Sequence, residues 1–153
     1  MTTKKLGRTP HSVQSSLLWG IRSKRRLAEV IGWVGPPSAL KGFAKRSDNF
    51  SRFIDKKNPN KPRLVEAPQP RLKAIQKRIE VLLKRIALPD YLHSGVPRRS
   101  YLSNSQVHCS ATGCTVTLDV ADFYPSIRFD RIVRLFIVTF ECERDIAEIL
   151  AGL

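Results

Sequence analysis

Apolar positions along the chain switch between two periods, and each switch marks an element. Leu27, Val30, Ile31 and Val34 recur at helical spacing, which predicts a helix from a cap at Ser23 to about Trp33, ended by Gly35, Pro36 and Pro37. Its first turn holds Lys24, Arg25 and Arg26, and cations there oppose the helix dipole, a conflict that hints at an anionic ligand. Residues 50–67 read as two short strands around an Asn/Pro turn, a hairpin whose basic tip carries Lys56, Lys57, Lys61 and Arg63. Pro70 opens a strong amphipathic helix to about Ile86. Leu72, Ile75, Ile79, Leu82, Leu83 and Ile86 share one stripe, while Arg71, Lys73, Lys77, Arg78, Lys84 and Arg85 lie mostly off it. Residues 91–101 read as a loop that exposes the double arginine Arg98 and Arg99, suited to phosphate contact or base stacking. Residues 114–120 have strand composition. Residues 129–140 and 143–153 return to helical spacing, the latter with Ile146, Ile149, Leu150 and Leu153 on one stripe. The expected class is α+β, mostly helical with a short hairpin.

Charge adds a partner to this outline. The chain has 153 residues, enough for one domain with a real core, 42% hydrophobic content and a formal net charge of +14. Such a charge points to a polyanion, nucleic acid before an anionic membrane surface. Its distribution is uneven: residues 1–100 hold 23 Lys and Arg against 6 Asp and Glu, whereas residues 101–153 hold 4 against 7. A basic part therefore precedes an acidic one, as phosphate binding followed by cation binding would require. Residues 1–12 form a basic arm expected to be loose. Three cysteines without a dense framework suggest reduced thiols, and no apolar run reaches the length of a membrane span, so a soluble cytoplasmic protein is expected. His93, His108, Cys109, Cys114 and Cys142 match no recognised zinc spacing.

The acidic part begins with the candidate chemistry. Asp119 is expected at the carboxyl end of the strand, with Asp122 one turn beyond, before Pro125 and Ser126 break the pattern. Hard cations such as Mg²⁺ take carboxylate oxygens and carry phosphoryl chemistry, so an Asp-x-x-Asp pair in this position is a metal-site candidate. Taken bare, such a pair is more often a solvated loop or a helix cap.

Several pieces occur together in a telling order: the hairpin with Lys56 and Arg63, residues 63–68 leading into residues 72–79, the loop of residues 93–101, the pair Asn104 and His108, and the run of residues 118–127. In that order and spacing, over roughly residues 45–150, the chain resembles bacterial reverse transcriptases of the retron type, which are related to group II intron enzymes. The resemblance implies the fingers of a right-hand polymerase followed by the first strand and helix of its palm. Residues 1–45 would be a basic arm and helix, 46–113 the fingers and 114–153 a partial palm. It also implies RNA-directed DNA polymerisation, with an RNA template, a DNA or RNA primer and dNTP as partners, Mg²⁺ as cofactor, and a place in antiviral defence.

Position by position, the resemblance makes Asp119 the first catalytic aspartate and a metal ligand, and gives Val120 a backbone carbonyl for the metal. Ala121, Asp122 and Phe123 would line the triphosphate pocket through main-chain groups. Tyr124 would be the aromatic gate under the sugar, while Lys56 and Arg63 would clamp the triphosphate, with Lys57 an alternative to Lys56. Lys73, Lys77, Arg98 and Arg99 would contact nucleic acid. Two departures stand out. Where the family often has Gly-Arg-Ser, this chain has Arg98-Arg99-Ser100, and nothing after Asp122 supplies the second acidic pair of a Tyr-x-Asp-Asp turn. The chain alone is therefore expected not to polymerise, a C-terminal polymerase portion is a candidate partner, and a non-catalytic nucleic-acid-binding module derived from such an enzyme is the alternative.

Overall fold

In the computed structural model, which describes residues 10–56, 62–96, 98–109, 112–114 and 116–153, the amphipathic stripes become one core. The first helix, α1 (Lys24–Ile31), starts where the Ser23 side chain accepts from the Arg26 backbone N–H at 3.3 Å. It stops at Gly32, whose left-handed backbone (φ 70°) ends helical pairing without a Cβ clash. A short helix, α2 (Leu40–Ala44), follows and leads to the hairpin of β1 (Phe50–Asp55) and β2 (Arg63–Pro68). The strands pair antiparallel, with Phe50 opposite Pro68 and Asp55 opposite Arg63. Buried Asn49 ties down the hairpin base: its Nδ2 donates to the Phe43 carbonyl at 2.6 Å, and its own carbonyl accepts from Gln69 at 2.8 Å.

The long helix α3 (Pro70–Leu83) begins on Pro70, whose missing N–H costs nothing at a helix start. It buries Leu72, Ile75, Ile79 and Leu82 of the predicted stripe, with Leu83 and Ile86 partly buried, and ends three residues before Ile86. After residue 86 come α4 (Tyr101–His108), the single turn α5 (Phe123–Ser126), α6 (Phe129–Val138) and α7 (Arg144–Gly152). Helices α6 and α7 pack as a pair, and α2 leans on α7. Residues 18–21 are stitched to the α6–α7 turn, where the Gly20 N–H donates to Phe140 at 2.7 Å and Glu143 donates to Ile21 at 3.1 Å. Leu18, Leu27, Leu40, Leu72 and Ile146 are fully buried in this core. Helices with one two-stranded antiparallel sheet make the class α+β.

The chain divides into two units, residues 1–86 with 127–153 and residues 87–126. The expected arm is only partly within the described residues, but His11 is not loose, since its N–H donates to Arg85 at 3.0 Å beside a bridge to Ile86. The hairpin tip at Lys57 and Lys61 lies outside the described residues.

Two expectations need correction. Residues 116–120 do not form a strand, and Leu118 is 88% exposed. A strand persists only where a neighbour pairs its backbone, and among the described residues the only paired strands are β1 and β2. Residues 101–108, given no element by periodicity, are helical. Tyr101, Leu102 and Val107 are all exposed, so no buried stripe announced this helix. It is set instead by a capping box, in which Ser103 N–H donates to Ser100 Oγ at 3.3 Å and Ser100 N–H donates to Ser103 Oγ at 2.9 Å.

Candidate nucleic-acid and nucleotide site

Cations dominate the surface, and their partners sort them. In the first turn of α1, Lys24 reaches Asp145 at 3.8 Å, while Arg25 and Arg26 both reach Glu29, at 3.6 and 3.5 Å. The conflict with the helix dipole is thus partly relieved by carboxylates of the chain itself. On α3, Arg71 stacks on Trp33, 4.2 Å from the ring centroid, and donates to the Val34 carbonyl. One heptad on, Arg78 donates to the Val30 carbonyl at 3.2 Å. These two arginines close the carboxyl end of α1, which leaves other cations of α3 for a ligand. Lys77 and Lys84 share Glu80, and their ammonium groups hold its carboxyl down to about 2, Lys77 contributing most. Lys73 is exposed, with no carboxylate among the described residues within 4 Å.

At the hairpin, Lys56 directly follows β1 and is exposed, and Arg63 opens β2 opposite Asp55. Arg52 and Glu66 pair across the strands at 2.7 Å. Phe53, Ile54 and Leu64 are more than half exposed, so the hairpin stands out from the core.

Within residues 87–126 the double arginine is not uniformly exposed, which corrects the expectation. Arg99 turns back into its own loop, donating to the Pro89 carbonyl at 2.6 Å, the Leu92 carbonyl at 2.7 Å and Asp90 at 2.6 Å. Arg98 is exposed and has a left-handed backbone (φ 66°), the conformation that favours the glycine of the family's Gly-Arg-Ser step. Sequence reasoning missed a polar knot beside it: His93 Nδ1 lies 2.9 Å from Ser103 Oγ, which also donates to the Ser100 carbonyl at 2.8 Å. The Ser100-x-x-Ser103 spacing was the one signal for it.

Asp119, Val120, Ala121, Asp122, Phe123 and Tyr124 are all exposed. Asp122 has a left-handed backbone (φ 48°), which aspartate tolerates better than most residues, and its carbonyl accepts from Ser126 at 2.9 Å to start α5. The rings of Phe123 and Tyr124 meet edge to face, 5.4 Å apart, and Tyr124 is 83% exposed. Asp119 offers the hard oxygen donors that suit Mg²⁺. Among the described residues, however, no three His, Cys, Asp or Glu side chains are grouped to hold a metal ion, so the described residues do not by themselves build that centre. Cys109 and Cys114 are exposed free thiols, while Cys142 is buried, its thiol pushed up by burial.

Fold and charge define a basic α+β chain whose cations are largely exposed, and sequence comparison gives that class a lineage. The chain is similar to retron reverse transcriptases. It is 33% identical to the Retron Se72 reverse transcriptase of Salmonella heidelberg over 122 residues, covering 79% of this chain and 29% of that protein. It is 32% identical to the Retron Mx65 reverse transcriptase of Myxococcus xanthus over 94 residues, covering 61% of this chain and 22% of that protein. The chain therefore spans less than a third of the length of the curated relatives it matches. No family model and no solved structure matches. No helix among the described residues is long and apolar enough to cross a membrane.

Proposed function

We propose that this chain is the nucleic-acid-holding portion of a retron-type RNA-directed DNA polymerase, corresponding to its fingers and the start of its palm. The observation that carries this reading is the 33% identity over 122 residues to a retron reverse transcriptase. The exposed cations support it, because phosphate contacts by lysine and arginine release counterions and supply most of the affinity for nucleic acid. Lys73 and Arg98 are phosphate contacts on this reading, and both are exposed. Lys77 and Arg99 are already engaged, with Glu80 and with the loop, so a phosphate would have to share them. By the resemblance, Lys56 and Arg63 are assigned to the triphosphate of dNTP, the main chain of Ala121, Asp122 and Phe123 to nucleotide binding, and the Tyr124 ring to the exclusion of a 2′-hydroxyl. Asp119, with the Val120 carbonyl, is one contributor to a composite metal centre whose other donors come from outside the described residues.

On this reading the chain binds an RNA template annealed to a primer, with affinity that falls steeply as salt rises, and does not extend the primer by itself. Primer extension, run with the chain alone and with a fragment bearing a Tyr-x-Asp-Asp turn, tests this. Activity only in the mixture is expected, and incorporation by the chain alone would overturn the assignment of an incomplete centre. The exposed cations alone would equally suit a second reading, a non-catalytic binding module of the same descent. Titration of Mn²⁺ in the presence of primer-template and dNTP separates the two. A metal-binding heat lost in Asp119→Ala supports the polymerase reading, and identical heats in both proteins support the module.

A further inference from the structure

Two open pockets of about 430 and 470 Å³ lie on the face made by α2, α6 and α7, on the first unit. Both are lined by Phe129 and Glu148, so they adjoin as one groove. Its floor is aliphatic. Ala44 and Ile149 line one half, Val133 and Ile137 the other, and Phe129 stands at the waist, 54% exposed. Gly152 lets α7 come close to α2 at the edge of the first half: a Cβ there would come within 3.2 Å of the Ala44 carbonyl oxygen, so a larger residue would require a small shift.

The rim is cationic. Lys41 and Lys45 flank one end, Arg134 and Arg144 the other. Of the two carboxylates lining the groove, Glu148 is taken up by Lys41 at 3.8 Å and Asp130 by Arg128 at 3.1 Å. No carboxylate among the described residues lies within 4 Å of Lys45, Arg134 or Arg144. Three uncompensated cations around an apolar trough define the chemistry of what would cover it. Phosphate chains gain nothing from an aliphatic floor, and one phenyl ring is no stacking platform for successive bases, so nucleic acid is a poor occupant. An amphipathic helix matches both features, laying an apolar face on the floor and carboxylates against the rim.

We propose that this groove docks an acidic amphipathic helix of a second, different protein. None of the cations assigned above to template and triphosphate lines this groove, and the inference does not depend on that assignment. It is tested with the full chain and a labelled synthetic helix of about 18 residues, leucines spaced i, i+3, i+4, i+7 and glutamates flanking them, read by fluorescence anisotropy. Saturable binding is expected, weakened at least tenfold in Arg134→Glu/Arg144→Glu and several-fold in Phe129→Ser. An equal charge change at Arg25 and Arg85 should alter it less than threefold, and replacing the peptide's glutamates by glutamines should abolish it. Circular dichroism confirms that each variant is folded; the altered side chains are all exposed, so folding is expected to survive. The proposal is overturned by absence of saturable binding, by equal loss in the two charge-reversal proteins, or by an unchanged affinity for the glutamine peptide. It also fails if the groove variants lose affinity for single-stranded RNA instead, or if they change only the self-association of the chain.

Discussion

Leu72, Ile146 and Leu118 are all aliphatic residues in apolar runs, yet the first two are fully buried and the third is 88% exposed. The difference runs through the whole of the two units. In residues 1–86 with 127–153, helical stripes meet and bury their side chains, each large aliphatic group contributing about 1.5–3 kcal/mol. In residues 87–126 no described residue is buried, and order comes from polar anchors: the three bonds of Arg99, the Ser100 and Ser103 box, and His93. Net contributions of that kind are about 1 kcal/mol each and local. The unit that carries Asp119 and Tyr124 is therefore expected to open more easily than the packed one.

The largest expected effect tests the burial side of this contrast. Leu72→Ala and Ile146→Ala should each cost about 2–5 kcal/mol, since both remove a fully buried side chain and leave a cavity. Leu118→Ala should change stability by less than about 0.5 kcal/mol. Urea unfolding followed by the fluorescence of Trp19 and Trp33 measures the first two, and amide hydrogen exchange over residues 116–120 measures the third; a comparable loss of protection in Leu118→Ala would mean that those residues are packed after all.

A smaller effect tests the polar side. Arg99→Ala removes the bonds to Pro89, Leu92 and Asp90, a loss of about 1–3 kcal/mol confined to the loop. Amide hydrogen exchange should quicken across residues 89–104 while the urea midpoint reported by Trp19 and Trp33 stays put. Coupled loss of both would show that the two units unfold together.

The same contrast explains what could be read from the chain. Stripes such as that of α3 and helix-start signals such as Ser23 and Pro70 are local, and they carry the helices of the core, whereas the end of α1 at Gly32 and the hairpin register were not legible. The strand expected over residues 114–120 rested on composition and on the family resemblance, whereas a strand exists only when another pairs with it, and no stretch of sequence states whether that partner is present. Helix α4 escaped because its cause is a serine pair, not a stripe. For the candidate site, residue types were legible but employment was not: Arg98 and Arg99 look alike in sequence, and only hydrogen bonding separates a free cation from one committed to its loop.

The smallest effect probes whether surface charge contributes to the packed unit at all. Glu80 has its carboxyl held down to about 2 by Lys77 and then Lys84, from an ordinary value of 4.5. A depressed carboxyl stabilises the folded chain above its unfolded value, and that contribution disappears as pH falls through the folded one. Glu80→Gln should therefore melt slightly below wild type at pH 6, and the gap should close between about pH 4.5 and pH 2. The side chain is exposed to solvent and counterions, so half-molar salt should shrink the gap at pH 6 as well. A gap that persisted at about pH 1, below the folded value, where wild-type Glu80 is itself neutral, would trace the effect to something other than charge.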